Sequence, residues 1–343
     1  MEGLAAVQDR WKTAEGRAKT DRVLHLLASG EELQLRQELG LHEGLVDMRG
    51  FCVPAPDRRG KTDFHGIDVD LVERFKATRL VMSSYDFTFA DLSDLMWTSC
   101  RFERCRFVDS RLLSTLFYDC AIEDCNFVRC DFTGAVLGGH TGRSSGMIIN
   151  TEFHDGRFQD VVFSFPHIEN CLFACDISNV DFDGSMFKDS TFTGKLDKVT
   201  FRRWRSDSRV KLGRLAPENK MEHVDFSAAE LDDVDFRGGV PLTGCIFPAK
   251  PCYFLVLDGS KVFREIKEEL ESTWEGEDKR IALGFTVNYF LDRVKEGQRH
   301  FLIDEDSFSE HWGKPLARRY SYLIAKVAEK HSALGKLQCR DGR

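Results

Sequence analysis

From residue 87 to residue 137 a large apolar side chain recurs at every fifth position. The series is Phe87, Leu92, Trp97, Phe102, Phe107, Leu112, Phe117, Ile122, Phe127, Phe132 and Leu137. Two places before each stands Tyr85, Ala90, Leu95, Cys100, Cys105, Ser110, Thr115, Cys120, Cys125, Cys130 or Ala135, mostly small, and the remaining positions are largely polar or charged. After a break at GGHTGRSSGM the rhythm resumes at Ile148, Phe153, Phe158, Phe163, Ile168 and Phe173. A one-residue slip leads to Ile177, Phe182, Phe187 and Phe192; Phe201 stands alone; Phe226, Leu231, Phe236, Leu242 and Phe247 follow a basic stretch.

Neither common period accounts for this. On an α-helix a step of five turns the side chain by a net of about 140°, scattering the series around the axis. On a plain strand, odd steps put successive members on opposite faces. A fixed period sustained over more than a hundred residues points to stacked repeats. A solenoid with one short side per five residues, turning a corner at each step, brings every large residue and every small partner inward.

The segments ADLSD (90–94), CNFVR (125–129), CDFTG (130–134), VDFDG (180–184) and VDFSA (224–228) resemble the pentapeptide-repeat family. Its repeat is a small residue, Asp or Asn, a large apolar residue, then two polar ones. The resemblance covers about residues 80–248 and implies a mainly β fold: a right-handed quadrilateral β-helix solenoid with four repeats per coil. Residues twenty apart then stack, as Phe87/Phe107/Phe127, Leu92/Leu112/Phe132 and Trp97/Phe117/Leu137, at the ~4.8 Å spacing of neighbouring strands. The expected domains are an N-terminal cap (1–79), the β-helix (80–257) and a C-terminal all-α helical domain (258–343).

Two insertions break the register. Residues 138–147 are rich in Gly, Ser and Thr and carry His140 and Arg143; residues 202–220 are basic. Insertions in solenoids go to loops that carry recognition. In the second, Arg202, Arg203, Trp204 and Arg205 interleave an aromatic with guanidinium groups, followed by Arg209, Lys211 and Arg214. A solvated loop and a loop binding an acidic partner, nucleic acid or protein, both fit.

At the N-terminus, residues 17–40 read as one or two short helices, with Val23, Leu26 and Leu27 apolar together and Gly40 as a stop. Residues 45–82 have no clean period and suit irregular first coils around Met48, Phe51 and Ile67, capping the exposed end. From Gly259 the period becomes helical. Phe263, Ile266, Leu270 and Trp274 form one stripe behind a Ser260 N-cap; Leu283, Val287, Phe290 and Val294 form a second; Leu316, Tyr320, Leu323 and Val327 form a third.

Charge sharpens this division. Lys plus Arg against Asp plus Glu is 12 against 24 over 80–201 and 221–257 together, but 7 against 2 over 202–220. The N-terminus carries no apolar signal segment, and no run approaches the about 18 apolar residues of a membrane span. With 11 cysteines in 343 residues, reduced thiols in a cytoplasmic protein are the expectation. Cys100/Cys120 and Cys105/Cys125, each twenty apart, fit buried structural thiols, disulfides or metal ligands, in falling order of fit.

No catalytic constellation stands out: the histidines are scattered, and there is no H-E-x-x-H or C-x-x-C. GGHTGRSS lacks the ending of a phosphate loop. The expectation is a non-enzymatic protein-interaction scaffold with no catalytic, cofactor or metal site and no small-molecule substrate. The resemblance also implies an alternative, a DNA-mimicking protein that binds gyrase or another topoisomerase and gives antibiotic resistance or self-immunity. It implies too that the C-terminal helices can serve a homodimer. Direct nucleic-acid contact is not expected outside the basic residues 202–220.

Overall fold

A computed structural model describes residues 4–55, 57–64, 67–139, 145–204, 218–250 and 252–335, with backbone alone at 4–5 and 57–73. The chain forms two compact units, residues 1–180 and 181–343. Among the described residues no helix is long and apolar enough to cross a membrane.

The first unit begins with three helices, α1 (Leu4–Lys12), α2 (Ala14–Ser29) and α3 (Glu32–Leu39). Thr13 caps α2 by accepting from the Gly16 amide, and Gly30, left-handed at φ 76°, closes it. Val23, Leu27 and Leu35 are fully buried. Trp11 meets Phe51 edge-on at 5.2 Å and donates its indole N–H to the Arg49 carbonyl at 2.7 Å. Arg10 adds an ion pair to Asp47. Burial opposes ionisation of Asp47, but hydrogen bonds from Arg10 and Arg49 hold its carboxyl well below the usual range. The helix α1 was not apparent from periodicity, because nine residues with two basic ones in the last turn give a short stripe.

Coil structure starts ahead of the regular rhythm. Val46 pairs in parallel with Tyr85, Cys52 bridges Asp91, Ala77 pairs with Trp97, and Met82 with Phe102. Met48 and Phe51 are buried within this first coil. Ile67 is not part of it: an antiparallel hairpin, Asp57–Phe64 with Ile67–Glu73, interrupts the coil there.

The register is then twenty residues. Phe107 pairs with Phe127, Phe117 with Trp97, and Ile122 with Phe102. Along one inner edge the rings of Phe87, Phe107, Phe127, Phe153 and Phe173 stack at 4.5, 4.3, 5.0 and 4.9 Å between centroids, tilted by 7° to 13°. Each fully buried Phe contributes about 1.5–3 kcal/mol of transfer free energy, an upper bound against a compact unfolded chain.

Three local devices turn five residues into one side. At most corners the residue two after the large one is left-handed, as at Ser84, Phe89, Asp94, Ser99, Arg104 and Asp109, with φ of 50–61°. Where the sequence reads Asp-x-Ser/Thr, the Asp carboxylate accepts from the amide two residues on, as Asp86 to Thr88, Asp91 to Ser93 and Asp131 to Thr133. The small inward residue donates to the coil below: Ser110 to the Phe87 carbonyl at 2.7 Å, Thr115 to Leu92 at 2.8 Å, Cys105 to Met82 at 3.0 Å. That geometry suits Cys, Ser and Thr, while Ala90 and Ala135 fit the position by size alone.

The first insertion lengthens one side only. Ile122 pairs with Ile148, twenty-six residues on, where the regular step is twenty. Gly138 (φ 98°) and Gly139 (φ 77°) open it; a Cβ on Gly138 would sit 2.4 Å from the Ser164 carbonyl, and one on Gly139 2.7 Å from the Tyr118 ring. The one-residue slip appears as Phe158 pairing with Ile177.

In the second unit the coils continue with Phe182, Phe187, Phe192, Leu196 and Phe201 buried. Phe201, isolated in sequence, is a full member of the ladder, stacked on Phe182 at 4.9 Å and on Phe236 at 5.4 Å. It looked isolated because Leu196 follows Phe192 by four residues and because its next partner, Phe236, lies beyond the second insertion. Phe226 and Phe247 stack at 5.7 Å on the last turn.

The C-terminal part contains helices α4 (Gly259–Thr273), α5 (Gly276–Phe285), α6 (Asp292–Lys295), α7 (Glu305–Trp312) and α8 (Lys314–Lys330). A π-helical turn, Thr286–Leu291, joins α5 to α6. Asp258, not Ser260, caps α4, accepting from the Lys261 amide. The helices are accompanied by a three-stranded antiparallel sheet, Tyr253–Val256 flanked by Phe301–Asp304 and Leu334–Gly335, whose short strands left no alternating signature. Phe263, Ile266, Leu270 and Trp274 are buried as one stripe, as are Leu316, Tyr320, Leu323 and Val327. Of the middle stripe Phe290 is buried, whereas Leu283, Val287 and Val294 are half-buried, because the π turn shifts the helical phase.

Candidate interaction surfaces

Within the first unit the outward residues give each side of the coil its own chemistry. One coil contains Arg101, Arg106, Arg111 and Leu116 at the same position on its four sides, each just before the inward large residue. Three sides are ionic. Arg101 pairs with Glu103 and with Glu123 at 2.9 Å, Arg106 with Asp86 at 2.5 Å, and Arg111 with Asp91 at 3.2 Å; at a corner Arg129 pairs with Asp109 at 2.7 Å. Asp86 is fully buried; burial raises the cost of its charge, and the Arg106 and Thr88 hydrogen bonds hold it below the usual range.

The strands of the fourth side carry no charge across four successive coils, and the one carboxylate at the corners that follow them, Asp119, accepts from the Ser99 hydroxyl at 3.0 Å. Met96, Leu116, Val136 and Val162 pair one above another, and Val162 is 42% exposed. Thr98, Tyr118, Gly138 and Ser164 make the parallel column, and Lys76 stands at one end. The pentapeptide pattern could not single out this side, since polar and apolar residues alternate around a coil with the same five-residue period on all four. Sorting the outward positions by steps of twenty would have found it.

The candidate residues of the two insertions divide between described and undescribed positions. His140, Arg143, Arg205, Arg209, Lys211 and Arg214 lie outside the described residues. At the base of the second loop, Arg202 bonds Asp181 at 2.8 Å, and Arg203 bonds Glu218 at 2.8 Å and the Gly239 carbonyl at 3.1 Å. Buried Asn219 ties re-entry to exit, donating its amide to the Arg203 carbonyl and accepting from the Phe187 and Met221 amides. Trp204 is 45% exposed, with the Arg203 guanidinium 5.3 Å from its ring. The two arginines are thus engaged within the unit, and Trp204 is the exposed member of the described part.

The structural ladder named from sequence is interior. Phe87, Phe107, Phe127, Trp97 and Phe117 are at most 2% exposed, and Cys100, Cys105, Cys120 and Cys125 at most 4%. All described cysteines are free thiols. Burial pushes Cys120 up and takes Cys130 and Cys171 to about 12, which keeps them protonated and unreactive. One cluster with metal-ligand atoms occurs among the described residues, Cys252, Asp304 and Asp306, outside the coils; the Asp304 side chain there caps α7 by accepting from the Asp306 amide.

In the second unit an ionic knot joins the last coils to the helices. Asp235 accepts from Arg293 at 2.6 Å and from Arg237 at 2.6 Å, and Arg293 lies 3.8 Å over the Tyr289 ring. Buried Gln298 bonds the Gly239 amide at 2.7 Å and the Val240 carbonyl at 3.3 Å.

Four five-residue sides per coil, inward Phe and Leu with small partners, and left-handed corners define a quadrilateral β-helix of pentapeptide repeats. Three solved structures of QnrB1, described as a plasmid-mediated fluoroquinolone resistance protein, match: the full-length protein and two trypsin-treated variants. Identities are 19%, 14% and 15%; the matches cover 59%, 55% and 56% of this chain and 92%, 88% and 91% of those, with TM-scores of 0.23, 0.29 and 0.21. No family model matches the sequence, and no curated protein matches it.

Proposed function

We propose that this protein is a non-enzymatic scaffold that docks a protein partner on the uncharged side of its first-unit coils. The observation that carries the reading is the contrast at one register position, Leu116 against Arg101, Arg106 and Arg111 on the other three sides. A continuous column of four apolar residues flanked by Thr and Tyr suits the apolar centre of a protein interface. It offers nothing to a phosphate backbone. The replacement Leu116→Lys together with Val136→Lys tests it: arginine fills the equivalent sites, so the coil tolerates the change. The double variant is expected to keep its melting temperature and lose the proteins that wild type co-purifies from its own cells. Unchanged co-purification by a folded variant contradicts the proposal.

A topoisomerase-binding DNA mimic is the second reading, favoured by the excess of acid in the coil stretches, 24 carboxylates against 12 basic residues. Against it, carboxylates on three sides are bridged by arginines of the same surface, which breaks up the field a mimic needs. A gyrase supercoiling assay, with and without a fluoroquinolone, separates the readings. The scaffold reading expects neither inhibition nor protection.

A further inference from the structure

A cavity of about 340 Å³ lies within the second unit, between the last coils, the three-stranded sheet and helices α5 and α7. Its walls are aromatic: Tyr253, Phe285, Tyr289, Phe290, Phe308 and Trp312. They form two stacked pairs meeting at an edge. Phe285 stacks on Tyr289 at 4.8 Å, Phe308 on Trp312 at 5.0 Å, and Phe285 meets Trp312 at 5.0 Å and 80°. The π-helical turn Thr286–Leu291 builds this wall. On an α-helix Phe285 and Phe290, five apart, would diverge by about 140°; the wider turn brings Phe285, Tyr289 and Phe290 to one cavity. Such turns frequently occur at functional sites, since they are otherwise costly.

Among the described residues, the carboxylates at the cavity have no fixed cation beside them in its lining. Asp233 and Asp304 contribute carboxylates, Ser307 a hydroxyl and His311 an imidazole, and among the described residues lining it there is no lysine or arginine. Asp233 is exposed at a left-handed corner of the coil, and Asp304 is half-buried. The nearest cation, Arg293, is not among the lining residues; its guanidinium is held by Asp235 at 2.6 Å and lies 3.8 Å over the Tyr289 ring. Aromatic faces and carboxylates together favour an organic cation, through the ring quadrupoles and through charge.

We propose that this cavity binds a small amine or quaternary ammonium compound with an apolar body, held by the Phe285–Tyr289 and Phe308–Trp312 pairs and by Asp233 and Asp304. The volume lies in the range of small-molecule pockets, about 300–1,000 Å³. The inference stands apart from partner docking on the first unit and survives its failure.

The test is calorimetric titration of the full-length protein with benzyltrimethylammonium, its neutral carbon isostere 2,2-dimethylpropylbenzene within its solubility, and benzoate. Saturable binding of the cation is expected, about tenfold or more tighter than the isostere, with none for benzoate. Trp312→Leu and Asp233→Asn are each expected to weaken the cation by roughly three- to tenfold. Asp233→Asn keeps the left-handed corner, which Asn tolerates, so loss of binding there reports charge and not unfolding. Equal binding of cation and isostere, no saturation by the cation at millimolar concentration, or unchanged affinity in both variants overturns the proposal.

Discussion

The coils of residues 81–137 and the helical part of residues 253–335 both pack aromatic rings together, but by opposite means. In the coils one rule repeats: a residue packs on its counterpart twenty positions away, so the interior is lined by parallel stacks such as Phe87, Phe107 and Phe127 at 4.5 and 4.3 Å. In the helical part the rings come from α4, α5, the π turn, α7 and α8 and meet at many angles, from the 3.9 Å stack of Phe263 on Phe290 to the edge contacts of Trp312. A repeated rule leaves variety only on the outer surface. A core assembled from unlike pieces leaves room inside. The two proposed recognition sites differ accordingly, one on the outer surface of the first-unit coils and one in a cavity of the second unit.

The largest expected effect breaks the repeated rule. Phe107→Ala removes a ring packed between two others, and should cost about 3–5 kcal/mol, seen as a lower urea midpoint and loss of the strand signal in circular dichroism. Arg104→Ala, at an exposed corner, should stay within about 0.5 kcal/mol. Equal effects at both positions would mean that the ladder does not govern stability.

Next comes the knot that ties helices to coil in the second unit. Arg293→Met leaves Asp235 buried without its main partner and should cost about 3 kcal/mol. Burial opposes the Asp235 charge, and the Arg293 and Arg237 hydrogen bonds overcome it, so its folded pKa is lowered. A lowered carboxylate stabilises above the unfolded pKa of about 3.9 and loses that contribution as pH falls through the folded value. Wild type should therefore lose stability below about pH 4, and calorimetry of the variant should show less of that acid dependence.

The smallest effect concerns the thiols. Ser110 and Thr115 occupy positions equivalent to Cys100 and Cys105 and make the same hydrogen bond down the coil. Cys100→Ser with Cys120→Ser should cost about 1 kcal/mol or less, and reductant should leave the melting temperature unchanged. A large drop on reduction would indicate a disulfide.

These contrasts follow how much each region disclosed in its sequence. The five-residue period specifies coil, register and inward set, because every repeat restates the same corner and a single slip, as at Phe158 and Ile177, remains visible against its neighbours. Where the restatement stops, legibility stops: Phe201 seemed isolated, the hairpin at 57–73 passed as irregular coil around Ile67, and Ser260 stood in for Asp258 as the cap of α4. The uncharged side was hidden for a different reason. Its residues are ordinary one by one, and only the stacking of Met96, Leu116, Val136 and Val162 makes them a surface. The cavity was less legible still, since it depends on a π turn and on strands that have no sequence period.

The most direct measurement places a photo-crosslinking benzoylphenylalanine at Leu116, at Val128 on an ionic side, and at Tyr322, 72% exposed on α8, in the full-length protein inside its own cells. Docking on the uncharged side predicts covalent protein adducts from position 116 and none from 128 or 322. Adducts from 128 or 322 without any from 116 would contradict it.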